Sequence, residues 1–266
     1  MLQYQQKEYL YENYVEMRRS IKDIASENGV KPRTIEKWIS KLGLANLRSR
    51  VKNSINLDKL ALTPQFYYFL GLVVTDGYID LKNHRVIIRM RNVGTKDALE
   101  SLKDYFEFTG SVHCYRSCDY DLCITSRDLI DFMETLGISG IEKTYKVSLP
   151  NTFPNDDCAR MFARGVFEGD GNIHLIKNKF GTFWGGQFRL VMRSPKFIQE
   201  FIIFLEKFLG IKTVEKVHIT RGKPFSKIEL SVSQSKKFYK WIYKGFDNFR
   251  ISEKYEKVCL VTEEIV

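Results

Sequence analysis

The strongest constraint in this chain is a pair of matching nine-residue stretches, FLGLVVTDG at 69–77 and ARGVFEGDG at 163–171. Each closes a helical pattern, each has Gly in third place (Gly71, Gly165), and each ends in Asp-Gly. The elements after the first stretch are echoed after the second. A long unit present twice describes two similar half-domains rather than a solenoid, which needs more and shorter repeats.

Thr63-Pro64 opens the first helix with a capping hydroxyl and a proline at the first helical position. That helix is apolar nearly all round, so it is expected to be buried. Gly71 inside it costs about 1 kcal/mol against Ala, which makes sense where another backbone packs closely. Asp76 is the sole acid of this helix and sits at its C-terminal end, where the dipole disfavours negative charge and a compensating cation is needed.

Beyond Gly77 the apolar period becomes two, predicting two strands with a turn at 82–84. Val86, Ile88 and Met90 share one face; Arg85, Arg89 and Arg91 share the other. A sheet with a basic open face suits a nucleic-acid groove, whereas a merely solvated face would mix signs. A helix over 95–108, a strand pair within 111–125 and a helix capped by Ser126 complete this half. The same order recurs from Cys158, with strands expected near 214–220 and 226–233 and a last helix over 235–245. Gln187, Arg189 and Arg193 occupy the open face there, Arg193 in the place of Arg91. EKTYK at 142–146 is echoed by SEKYEK at 252–257, placing Lys143 opposite Lys254.

The first 44 residues read as helices with a tight turn. Ile21, Ile24 and Ala25 mark a short helix, Gly29 supplies the turn, and Ile35, Trp38, Ile39 and Leu42 mark a second helix. This resembles a helix-turn-helix, with Lys31, Arg33, Thr34 and Lys37 at the exposed start of the reading helix. The plainer alternative is a helical hairpin with a solvated basic face. Arg48, Arg50 and Lys52 could track a phosphate backbone or belong to a solvated linker. The expected divisions are a helix-turn-helix at 1–44, a basic linker at 45–62, and half-domains at 63–156 and 157–266.

A net charge of +10 favours a polyanionic partner, nucleic acid first and acidic membrane second. No run approaches the ~18 apolar residues of a membrane span, and no signal-peptide core is present. Five cysteines, an odd number, point to a reducing compartment: the cytoplasm of a bacterial or phage-infected cell, or an organelle. His113, Cys114, Cys118 and Cys123 lack zinc spacing, and strand alternation sends His113 and Cys114 to opposite faces. Cys158 and Cys259 read as core residues.

The paired stretches resemble the signature of LAGLIDADG homing endonucleases in their single-chain, two-motif form. The likeness covers roughly residues 63–266 and keeps Gly71 and Gly165, Asp76 and Asp170, and Gly77 and Gly171. It departs at Val74, which replaces the motif's first acid, one the family often lacks, and at Arg164 and Glu168, which are unusually polar; Glu168 is either an extra acid near the metal or a surface charge, the surface reading being preferred. The resemblance implies an α+β fold of two pseudo-symmetric αββαββα half-domains forming a DNA-binding saddle, here preceded by the helix-turn-helix. It implies a monomer that hydrolyses both strands of double-stranded DNA across the minor groove and promotes intron mobility. It further implies that Asp76, Asp170 and the carbonyls of Thr75 and Gly169 hold about two or three Mg²⁺ or Mn²⁺ ions. Lys143, Lys254, Arg91 and Arg193 would form the surrounding basic pocket.

The physical reading agrees. Helices crossing at small residues bring Asp76 and Asp170 together, and converging carboxylates repel unless cations separate them. Two other functions fit the same fold: a catalytically idle transcription regulator and an RNA-splicing maturase.

Overall fold

The computed structural model describes residues 2–17, 19–45, 47, 54–91, 94–116, 119–139, 147–177, 179–181, 183–220, 223–245 and 249–262. These fall into two compact units: 1–54 with 109–111, and 55–108 with 112–266.

In the smaller unit, α1 (Lys7–Leu10) continues into a π-helix (Tyr11–Glu16), followed by α2 (Ile21–Glu27) and α3 (Pro32–Lys41). The Ser20 hydroxyl caps α2 by accepting the Asp23 N–H at 3.1 Å. Gly29, at φ 63°, makes the turn that L side chains resist, and Pro32 opens α3 with its fixed φ. Leu10, Val15, Ile24, Ala25, Ile35, Ile39 and Leu44 form the unit's own apolar core.

The larger unit repeats one plan. The first half comprises α4 (Pro64–Asp76), β1 (Gly77–Asp80), β2 (Arg85–Arg91), α5 (Thr95–Tyr105), β3 (His113–Arg116), β4 (Asp119–Thr125) and α6 (Arg127–Thr135). The second comprises α7 (Asp156–Gly169), β5 (Gly171–Lys177), β6 (Phe183–Met192), α8 (Pro195–Leu209), β7 (Lys216–Thr220), β8 (Lys223–Glu229), α9 (Val232–Ile242) and α10 (Ser252–Thr262). Each half forms a four-stranded antiparallel sheet, ordered β1-β2-β4-β3 and β5-β6-β8-β7. Gly77 pairs with Ile88 and Gly171 with Leu190, so both hairpins leave their motif helix in the same register. The fold is therefore the expected α+β arrangement of two like halves.

Local caps set the helix starts. Thr63, Ser126 and Ser194 each accept an N–H from the third residue on, Phe66, Leu129 and Phe197. Several boundaries differ from the sequence expectation, two of them around the start of α9. Strand β8 ends at Glu229, not near 233, and α9 begins at Val232, not 235. A capping box explains both: the Ser231 hydroxyl accepts the Gln234 N–H at 3.3 Å, and the Gln234 side chain accepts the Ser231 N–H at 3.0 Å. The second motif helix likewise starts at Asp156, capped by Asn155.

Both motif helices lie buried in one apolar core that takes in the inner faces of the two sheets. They cross at their glycines. A Cβ on Gly71 would stand 2.4 Å from the Phe162 carbonyl oxygen and 2.8 Å from the Gly165 Cα; one on Gly165 would stand 2.4 Å from the Tyr68 oxygen. The closeness of two main chains thus outweighs the helix propensity lost at each glycine. Among the described residues, no helix is long and apolar enough to cross a membrane.

Propensity alone would make Gly71→Ala stabilising by up to about 1 kcal/mol. The backbone contact reverses the sign. Gly71→Ala or Gly165→Ala should lower stability by about 1–3 kcal/mol or more through overpacking, read as a shift of the urea midpoint at unchanged m-value.

Candidate active site at the paired helix ends

The glycine crossing sets where the two helices end. Asp76 is the last residue of α4, and Asp170 caps α7 with its N–H on the Val166 carbonyl. A Cβ on Gly169 would meet Thr75 Oγ1 at 2.0 Å and Asp76 Oδ2 at 2.8 Å. The Asp76 carboxylate therefore lies against the main chain one residue before Asp170, and only glycine leaves it that room. The Thr75 hydroxyl turns back onto its own helix, donating to the carbonyls of Gly71 and Leu72 at 3.0 and 3.1 Å. Asp76 is half-buried and Asp170 exposed.

The cation that a C-terminal acid requires comes from α10. Lys254 Nζ donates to the carbonyls of Phe167, Gly169 and Gly171 at 2.9, 2.7 and 2.8 Å. It closes the end of α7, where the dipole favours positive charge. Burial pulls its pKa down to about 8, while attraction to Glu168, Asp76 and Asp170 works the other way. Lys254 is thus bonded to main-chain carbonyls, and the Gly169 carbonyl, which the resemblance implies as a metal ligand, accepts a hydrogen bond from an ammonium.

Glu168 is not a surface charge; it is 1% exposed. Its carboxylate accepts the hydroxyls of Tyr68 and Tyr243 at 2.6 and 2.8 Å and the Ile251 N–H at 3.0 Å. Arg164, equally buried, donates to the carbonyls of Ile242, Phe249 and Gly245 at 2.6, 3.1 and 2.8 Å. Burial pushes the Glu168 carboxyl up and the Arg164 guanidinium down, and the attraction between them opposes both shifts. The two polar departures in the second motif thus tie α7 to α4, to the end of α9 and to the residue that starts α10. They fix the segment that carries Lys254.

A cavity of about 520 Å³ opens beside this junction, lined by Asp76, Arg91, Gly169, Glu253, Lys254 and Lys257 among others. Arg91 thus lines the same cavity as Asp76, Gly169 and Lys254. Arg193 does not line this cavity. It lies over the Phe225 ring at 5.3 Å and lines another cavity with Pro195, Glu215 and Val217. Lys143, Arg48, Arg50 and Lys52 lie outside the described residues.

The open sheet faces also depart from expectation. Arg85, Arg89 and Arg91 pair with Asp80, Asp121 and Asp119 at 2.7, 3.0 and 3.5 Å, so the first face mixes signs instead of being uniformly basic. Hydrogen bonds from Asn83 and then Arg85 hold the Asp80 carboxyl down at about 2. On the second face Arg189 meets Glu229 at 2.5 Å, and Gln187 stands half-buried opposite His174. The acids were legible in DYDLCIT by their alternation, but without strand registers nothing placed them against arginines. In the smaller unit Lys31, Arg33 and Lys37 are exposed and Thr34 half-buried at the start of α3. Cys158 is buried, as expected.

The Asp76 and Asp170 carboxylates are hard oxygen donors of the kind Mg²⁺ takes one or two at a time, with substrate phosphate oxygens completing its shell. Among the described residues, no group of three or more His, Cys, Asp and Glu could hold an ion by itself. An ion held by this pair would therefore need further oxygen donors from outside the two carboxylates.

The architecture is a LAGLIDADG fold. The N-terminal LAGLIDADG domain of DUF199/WhiA is similar at a TM-score of 0.50 and 14% identity, over 74% of this chain and 88% of that one. I-DmoI, a homing endonuclease solved in complex with DNA and Ca, is similar at 0.49 and 14%, over 74% and 97%. The Replication factor C small subunit of Methanocaldococcus jannaschii is 23% identical over 194 residues, 67% of this chain but only 10% of that protein. No family model matches.

Replacing Arg164 by Met should unfold the second half readily. Three carbonyls would lose their donor and Glu168 the attraction of a buried cation, a loss of about 3–5 kcal/mol for breaking a buried charged network, measured as a fall in the urea midpoint.

Proposed function

We propose that the chain is a site-specific double-strand DNA endonuclease. The observation that carries this reading is the Asp76 carboxylate lodged against Gly169, with Asp170 one residue on and Lys254 and Arg91 beside it. Paired carboxylates at the ends of two crossed helices are costly for a purely structural purpose. Divalent metal, held by Asp76 and Asp170, would supply an activated water and neutralise the charge that develops on the leaving oxygen.

The chain's own groups complete the arrangement. Lys254 keeps the α7 end in place and sets a positive charge next to both acids. Arg91, largely exposed, reaches the cavity from the first sheet and meets a phosphate oxygen there. One acid per half matches one cut per strand. The sheets lie along the duplex, and Lys31, Arg33, Thr34 and Lys37 of the smaller unit bind adjoining DNA as a helix-turn-helix. The chain acts as a monomer on an intron-type insertion site.

A regulator that binds without cutting is favoured by one observation: the Gly169 carbonyl is already taken by Lys254. The two readings separate on a randomised duplex library incubated with Mg²⁺ and screened for cut ends. Cleavage products sharing one sequence support the nuclease; tight binding with no cut ends in Mg²⁺ or Mn²⁺ supports the regulator.

For the nuclease, Asp76→Asn and Asp170→Asn should each lower single-turnover cleavage by about 10³-fold or more, the scale of a lost metal or charge contact. DNA affinity, measured in EDTA, should stay nearly unchanged. Removing metal with EDTA should stop cleavage of the wild type reversibly. Deleting residues 1–53 should weaken binding and shorten the protected footprint; an unchanged footprint would remove the smaller unit from the interface.

A further inference from the structure

The two sheets, alike in topology, carry unlike charge. On the first face three arginines stand across from acids in register: Arg85 opposite Asp80, Arg89 opposite Asp121, Arg91 opposite Asp119. The acid side chains are sunk, 12–17% exposed, while the guanidiniums reach outward at 40–82%. On the second face Arg189, Lys216 and Lys227 share the single acid Glu229, at 2.5, 3.6 and 3.0 Å. Arg193 adds a further cation there, lying over Phe225 in a cavity that Glu215 also lines. Among the described residues, the first face is balanced and the second is positive.

Phosphate attraction follows the number of cations that replace counterions along the backbone. A carboxylate about 3 Å from an arginine cancels most of that arginine's field and repels phosphate itself. A guanidinium held along one edge keeps its other donors in a fixed direction, the geometry that reads guanine O6 and N7. The carboxylates are not there for stability alone. Asp121 Oδ1 is buried with no hydrogen-bond partner, a cost that an apolar residue would avoid.

Resting on the reading that the chain binds double-stranded DNA, we propose that the sheets divide this labour. The second sheet supplies most of the sequence-independent grip. Asp80, Asp119 and Asp121 suppress such grip on the first sheet, leaving its arginines to select base edges.

The test is binding of the full chain to a ~30-base-pair random-sequence duplex in EDTA between ~50 and ~200 mM salt. Asp119→Asn with Asp121→Asn should tighten binding about three- to tenfold and steepen the log–log salt slope by about one per acid removed. Arg189→Gln with Lys227→Gln should weaken it about tenfold and flatten the slope by nearly two. Arg89→Gln with Arg91→Gln should flatten the slope by well under one.

No tightening by the acid variants, or equal flattening by the two arginine-bearing pairs, overturns the division of labour. Asp121 has a buried, unbonded oxygen, so Asp80→Asn with Asp119→Asn, checked for an unchanged melting temperature, repeats the test without disturbing it. A wild-type chain that binds no duplex at low salt refutes the DNA reading itself, an outcome distinct from wild-type binding with variants that do not differ.

Discussion

The contact on which the rest of the molecule depends is the crossing of two helices at Gly71 and Gly165. With a Cβ at either position the main chains would have to part, because the nearest carbonyl oxygens would lie 2.4 Å away. That closeness turns two half-domains, each with its own sheet, into one core. It also fixes the helix ends, so the acids that follow meet at a defined place. A looser crossing would still bury apolar surface, which is tolerant of small shifts. It would not hold a carboxylate against the backbone of the opposing helix.

The two helix ends are finished differently. In the second, Lys254 gathers three carbonyls, and Glu168 and Arg164 bind the segments that bring Lys254 there. Burying an acid and a guanidinium is expensive unless each is fully hydrogen-bonded, and here every bond reaches another element. The network supplies direction rather than raw stability: it makes α10 dock in one place. A site formed from the first-half acid, a second-half lysine and a first-half arginine consequently belongs to neither half alone.

The sheets show how little topology says about electrostatics. Strand order and register match between the halves, yet one face neutralises its arginines and the other crowds its cations around Glu229. Net charge describes the whole chain. What a partner meets at either face is decided strand by strand.

Much of the architecture could be read from residues alone, because it is local. Apolar period, capping hydroxyls and prolines mark helices and strands through short-range sterics and hydrogen bonds, and the doubled motif states that there are two halves. The start of α9 is encoded locally too, in a Ser-x-x-Gln box at 231–234. What the sequence by itself determined was therefore the elements, their order, the pairing of Gly71 with Gly165 and the convergence of Asp76 with Asp170. Only the tertiary structure decided that Glu168 is interior, that Lys254 covers carbonyls, that Arg193 rests on Phe225, and that the first sheet's arginines face acids. Each of these depends on which distant side chains come within a few ångströms. Charge interactions fall off or cancel over that distance, and no periodicity along the chain encodes it.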